Sequence, residues 1–499
     1  MDPRSLIRME SPDTPSTAWQ AVAETGGTPS LLSLESGRAA PAYIPFTVSG
    51  LARFNITARK GPWWFYPFIG SSPSDFPDGV EGTFMLIRDD DGRVHLLIPV
   101  VGHDYRVAIR RDDTSFRFEI TPDAKDRAMG ADRPLALIMT DVPDTVAAIE
   151  NAMAYLAGRF RSFTLLDEKR IPAFVEKLGW CTWDAFYKEV DADKVIEGLE
   201  SFQAAGVQPG FMVLDDGWQS VRENRLTRFE PNPDKFAEGL APLIERVKTD
   251  YGIAWFGTWH AFEGYWAGID PDGDLAGSYG LIPNDTVFEK YRGWGATFSV
   301  DTRVMVDPSD VYRFYQDFHR YLAAQGVDLV KVDNQASLRF FAENRTPRIA
   351  TQRAWQEAVQ SSVHHHFGGG SIHCMCNIND IFFQMKSGVV WRNSDDFFPR
   401  RPSPAQADHV TINAYNNLWT RTAVLPDWDM FYSGHEHGEF HAAARALSGG
   451  PIYVSDRPDS HDGKVLKALT VTNGDVLRCP QPAVPAPAML FTDPRREPR

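Results

Sequence analysis

The second half of this chain alternates short buried strands with amphipathic helices, and few folds accommodate that rhythm. Strand candidates recur at 178–183, 211–214, 253–256, 327–333, 372–375, 389–392, 424–426 and 451–454. Between them, apolar residues return at helical spacing. Val195, Ile196, Leu199, Phe202 and Ala205 form one such face, closed by Gly206, and Val311, Tyr312, Phe314, Tyr315, Phe318 and Leu322 mark another helix. Successive strands joined by helices pair in parallel, because a tight turn cannot make that connection. Eight such units are the count of a (β/α)8 TIM barrel. The fold class is therefore α/β, with the catalytic barrel assigned to 176–463.

The first half has a different period. The runs 84–88 and 94–100 flank an Asp-Asp-Asp-Gly turn, and the runs 106–110 and 115–120 alternate polar with apolar residues. This predicts an N-terminal antiparallel β-sandwich followed by a linker helix over 144–160, the two together covering 43–175. Residues 1–42, rich in Ser, Pro, Thr and Gly, read as an irregular lead. Residues 464–499 read as a short C-terminal segment with strand-like pieces such as 468–472. No large insertion in the barrel is evident.

A net charge of −15 disfavours nucleic acid and anionic membranes as partners. No apolar run is long enough for a spanning helix, and the N-terminus lacks a signal-peptide core. Four cysteines in 499 residues suit a reducing compartment, so a cytoplasmic protein is expected. A homo-oligomer is compatible with the sequence.

In a barrel the reactive groups stand at the C-terminal ends of the strands. Here those ends read Trp183-Asp184, Asp215-Asp216, Trp259-His260, Lys331-Val332-Asp333, Cys374-Met375-Cys376, Arg392 through Asp396, and Asp427-Trp428-Asp429. One strand-end aspartate is usually a helix cap. Five acidic ends on one face are harder to explain that way, because neighbouring carboxylates repel unless a ligand or a cation uses them. Side chains two apart on a strand share a face, so Lys331 and Asp333 project together. The cation is expected to lower the Asp333 pKa and keep it ionised, as a glycosidase nucleophile requires. The second carboxyl must hold a proton, and the pair Asp395-Asp396 suits that role, with Arg392 acting against it. For retention the two carboxyl groups should lie roughly 5–6 Å apart.

The motifs at 178–186, 215–219, 331–335, 392–397, 426–431 and 450–456 resemble, in order, those of the raffinose synthase and seed imbibition protein family. The resemblance implies a barrel behind a β-sandwich and retaining chemistry on α-galactosides. It makes Asp333 the nucleophile and Asp396 the acid/base, with Asp395 as fallback. Trp183, Asp184, Asp215, Asp216, Trp259, Lys331, Cys374 and Arg392 would line the galactose subsite. It also implies a C-terminal β-domain, which is expected to be largely absent here. No cofactor or metal is implied, and the partner is a galactosyl oligosaccharide. The expected activity is α-galactosidase hydrolysis of raffinose-type sugars. The alternative is galactosyl transfer through the same covalent intermediate. A catalytically silent sugar-binding protein and a metal-dependent hydrolase using 364–366 or 435–437 are further alternatives. The histidine clusters lack metalloprotease spacing.

Overall fold

The computed structural model describes residues 3–9, 19–22, 28–34, 43–123, 133–471 and 474–497. Eight parallel strands carry the second half: Leu178–Cys181, Phe211–Leu214, Trp255–Ala261, Leu329–Asp333, Ser371–His373, Val390–Arg392, Leu425–Asp427 and Ile452–Val454. We call them strands one to eight. Strands one to seven pair in sequence order, and strand eight pairs with strand one. Strands seven and eight share no ladder among the described residues.

Alternation within the strands sorts the side chains. Leu329 of strand four joins Cys181, Val213, Ile372, Val390, Leu425 and Tyr453 in one small cluster drawn from seven strands. Val330 and Val332 instead pack with the helices, beside Phe314, Phe318 and Trp355. Lys331 and Asp333 therefore follow Leu329 on the inner face. The apolar cluster closes the inside below them.

Strand three runs to Ala261, beyond the expected 256, so Trp259 and His260 lie within it rather than after it. Residues 262–310 separate it from the helix Val311–Ala324 and include the hairpin Leu281–Asn284 with Arg303–Val306. This is an insertion that the sequence reading missed, because its short strands lack a clear period. Gly268 anchors it. Its φ is +93°, and an added Cβ would stand 1.7 Å from the Val304 carbonyl oxygen. We expect Gly268→Ala to lose about 1–3 kcal/mol of stability, measured by denaturant unfolding. A change within 0.5 kcal/mol would show that this loop does not constrain the fold.

Among the described residues, the N-terminal half forms one hydrogen-bonded antiparallel sheet of eleven strands. Two separate sheets were expected. Glu81–Asp89 joins them, pairing with Leu51–Lys60 along its length, with Val94–Pro99 over Met85 to Arg88, and touching Tyr105–Asp112 only at Gly82↔Ile109. Residues 1–42, read as an irregular lead, contribute the short helix Pro3–Leu6 and, to this sheet, strands Ile7–Met9, Trp19–Val22 and Ser30–Leu34; residues 1–2, 10–18, 23–27 and 35–42 lie outside the described residues. The helix Thr145–Phe160 follows, capped by Asp144. One core joins the sheet to the second half, with Phe84 stacked on Trp419 at 5.7 Å.

The strand-like piece expected at 468–472 instead ends the helix Gly463–Ala468. Beyond it only Thr470 bridges to Val476, and Thr472 lies outside the described residues. The chain then returns to the N-terminal sheet, where Asn55 Nδ2 donates to the Leu490 carbonyl at 2.7 Å. No helix among the described residues is long and apolar enough to cross a membrane.

Candidate active site

The inner face of strand four sets the site. Lys331 and Asp333 are both buried there. The Lys331 ammonium, however, pairs with Asp215 Oδ2 at 2.7 Å rather than with Asp333. This corrects the expected pairing: strand-four periodicity puts the two residues on one face, and the partner comes from strand two. Burial, the largest single influence, lowers the Lys331 pKa, but the surrounding groups, Asp215 first and then Cys181, Cys374 and Asp333, together outweigh it and hold the ammonium well above its ordinary value. Asp215 is fixed further by the Cys181 thiol at 3.2 Å, and its backbone N–H donates to Thr182 Oγ1.

Asp333 receives two donors, Trp259 Nε1–H at 2.9 Å on Oδ2 and the Asn334 backbone N–H at 2.7 Å on Oδ1. Burial pushes its carboxyl above the ordinary range, and Lys331 and the indole pull it part of the way back. The expectation that the cation lowers this pKa is thus reversed by desolvation. The result is a more basic carboxylate, held by two donors. Asn334 supports that bond from the left-handed region, at φ 62°, with its side chain donating to the buried Glu263.

Asp216 faces the strand-three insertion. Tyr265 O–H and Trp266 Nε1–H donate to its two oxygens at 2.7 and 2.8 Å. Asp184 is 3% exposed, and its Oδ2 has no hydrogen-bond partner among the described residues. Burial, then the charges of Asp429 and Asp396, raise it to about 8. A carboxyl protonated at neutral pH can donate to a ligand oxygen as well as accept. Trp183 is half-buried over the inner apolar cluster, with its ring 5.2 Å from that of Tyr187.

Strand six delivers Arg392. Its guanidinium reaches Asp396 at 2.8 Å and Asp429 at 2.9 Å, donates to the Cys374 thiol at 3.4 Å, and lies 5.3 Å from the Trp64 ring centroid. The residues expected to line the subsite and carry the chemistry thus stand on or just beyond the C-terminal ends of strands one to six, and Asp429, read in the sequence as part of the seventh strand end, lies just after strand seven. Three groups were not anticipated. Trp64 and Tyr66 come from the N-terminal strand Trp64–Gly70. Glu263 completes the set. The run Trp63 through Tyr66 was the available signal, but aromatic runs are mostly core.

Asp395 and Asp396 differ sharply. Asp396 is ion-paired to Arg392, and its side chain is 43% exposed. Asp395 accepts the Tyr66 hydroxyl at 2.9 Å, and burial, then the charge of Asp396, raises it to about 6. That hydroxyl favours the ionised carboxylate, so its removal should move the proton affinity upward. We expect Tyr66→Phe to raise the apparent pKa of the pair by about 0.5–1 unit, read by carbon-detected NMR titration. A fall, or no change, would place the Tyr66 proton elsewhere.

The chain matches the family model described as raffinose synthase or seed imbibition protein Sip1 over residues 47–233 and 227–499. It is 33% identical to the probable galactinol--sucrose galactosyltransferase 6 of Arabidopsis thaliana, covering 91% of this chain and 65% of that protein. It is 30% identical to the galactinol--sucrose galactosyltransferase of Pisum sativum, covering 89% and 61%. The chain thus spans less than two thirds of the length of these relatives. Among solved structures it is similar in fold to an α-galactosidase of Thermus thermophilus in complex with stachyose, with TM-score 0.60, 18% identity, and 90% and 98% of the two chains covered. A GH36 α-galactosidase of Geobacillus stearothermophilus gives TM-score 0.54 at 14% identity, covering 93% and 71%.

Proposed function

Because the chain belongs to the raffinose synthase and seed imbibition protein family, we propose that it transfers α-galactosyl groups between sugars by double displacement. The supporting observation is the placement of Asp333, with its two donors, on the same end of the strands as the Asp395–Asp396 pair. In the first step Asp333 attacks the anomeric carbon, and the glycosidic bond breaks as the carboxyl pair protonates the leaving oxygen. In the second step an acceptor hydroxyl attacks that carbon. The ester bond to Asp333 breaks, and the hydroxyl proton passes to the pair.

We assign the proton transfer to Asp396, the more exposed member, with Asp395 beside it as the fallback. Trp183, Asp184, Asp215, Asp216, Trp259, Lys331, Cys374 and Arg392 would surround the galactosyl unit. Their mixture of carboxylates, cations and indoles suits hydroxyls and the C–H face of a sugar. The scheme uses no cofactor.

Hydrolysis is the main expectation from sequence, and it gives way to transfer here. It rests on the shortness of the chain, whereas relatives 30–33% identical carry galactosyltransferase names. Incubation with a galactinol-type donor and sucrose should yield a galactosylated trisaccharide ahead of free galactose. Free galactose alone would restore the hydrolytic reading. We also propose that the eight parallel strands close as a (β/α)8 barrel and that the N-terminal sheet folds over as a sandwich. The domain limits are 43–175, 176–463 and 464–499. A crystal structure checks these, together with a carboxyl separation of roughly 5–6 Å between Asp333 and Asp396. A separation beyond about 8 Å would indicate inversion instead. The unpaired cysteines suit a cytoplasmic protein, which fractionation of the producing cells would test.

A further inference from the structure

Both carboxyls of the Asp395–Asp396 pair open onto a cavity of about 110 Å³, and neither Asp333 nor Lys331 lines it. Its other walls include Tyr66, Phe398, Arg401 and Asp408. The Arg401 guanidinium lies 3.6 Å from the centroid of the Phe398 ring. The buried Gln406 side chain ties this turn down, donating to the Phe398 and Arg401 carbonyls at 3.0 and 2.9 Å. Among the described residues, the side chains of Arg401 and Asp408 have no ion-pair or hydrogen-bond partner.

An unpaired cation and an unpaired anion on a surface are ordinarily solvated and idle. Here they share a concave wall with the groups that move the proton. Stacking on Phe398 restricts Arg401, so its donors can bind with little further loss of side-chain entropy. The presence of both signs selects against an ionic ligand. An anion would meet Asp395, Asp396 and Asp408, and a cation would meet Arg401. A neutral polyol uses both, through charge-assisted hydrogen bonds to its hydroxyls. The volume suits one ring rather than a chain.

We propose that this cavity is the acceptor site, where Arg401 and Asp408 hold a neutral polyhydroxylated ring with one hydroxyl against the carboxyl pair. The inference rests on the transfer reading above. It explains how an acceptor competes with water: binding raises its local concentration at the galactosyl–Asp333 ester. The acceptor O–H then attacks, Asp333 leaves as carboxylate, and the proton goes to the pair. It also makes the N-terminal sheet part of acceptor recognition, through Tyr66.

The test uses p-nitrophenyl α-galactoside as donor, sucrose as acceptor, and Arg401→Ala and Asp408→Asn in the full chain. Release of nitrophenol reports the first step, and the ratio of trisaccharide to free galactose reports the second. We expect nitrophenol release within about twofold of the unsubstituted protein, and a transfer-to-hydrolysis ratio lower by about tenfold in Arg401→Ala, as loss of one charge-assisted bond implies. Asp408→Asn should lower it less, since the amide still accepts. An unchanged ratio in both variants overturns the acceptor site alone. So does an equal fall of both readouts, which would place these residues in the first step. Absence of trisaccharide from the unsubstituted protein overturns the transfer reading and the acceptor site with it.

Discussion

Asp333→Asn removes turnover by about 10⁴–10⁶-fold while the protein stays folded. The amide keeps the shape of the carboxyl but cannot form the ester to the anomeric carbon. The Trp259 and Asn334 donors both point at carboxylate oxygens, at 2.9 and 2.7 Å, so one meets an NH2 group after substitution. That costs about 1 kcal/mol. An opposing term offsets it. Burial raises the Asp333 pKa above its unfolded value, so at neutral pH ionising this group costs stability, and a neutral amide avoids that cost. The melting temperature should therefore stay within a few degrees. A mechanism-based fluorosugar should label Asp333 in the unsubstituted protein and nothing in the variant. Normal rates in Asp333→Asn, or a label on another side chain, would sink the assignment.

Lys331→Met should lose about 3–5 kcal/mol of stability, because it strands Asp215 as an unpaired buried charge. Both partners are 3% exposed and 2.7 Å apart. The methionine replaces the packing of the stem but not the charge. The Cys181 thiol, 3.2 Å from Asp215, would remain, and it carries no compensating charge. The double variant Asp215→Asn/Lys331→Met should recover a large part of the loss, since neither partner is then left charged. Denaturant unfolding of Lys331→Met, Asp215→Asn and the double variant gives the coupling. A single-variant loss below 1 kcal/mol would mean that the pair is hydrated in solution.

These two residues also mark how much of the site could be read from the chain. Period-two alternation placed Lys331 and Asp333 on one inward face, and the structure keeps them there. It could not say which carboxylate the ammonium takes, because that partner stands on strand two, 116 residues away. The sign of the Asp333 shift was misread for the same reason. Proximity along the strand argued for a lowered pKa, whereas burial, a property of the whole enclosure, dominates.

Elements with a strong local period were legible to within a few residues, among them Phe211–Leu214, Val311–Ala324 and Thr145–Phe160. The insertion over 262–310 was not, although it supplies Tyr265 and Trp266 to Asp216. Its side chains find their partners only across the fold. Trp64 and Tyr66 were missed likewise. Nothing in their neighbourhood along the chain separates an indole bound for Arg392 from one bound for a core.

The alternation of strand and helix, the aspartates at the strand ends and the family are all legible along the chain, because each is written in residue spacing or order. Which charges pair, which carboxyl is raised by burial and which distant strand closes the site are set by packing in three dimensions. Those outcomes depend on distances through space and on exclusion of water, and both arise only once the elements pack.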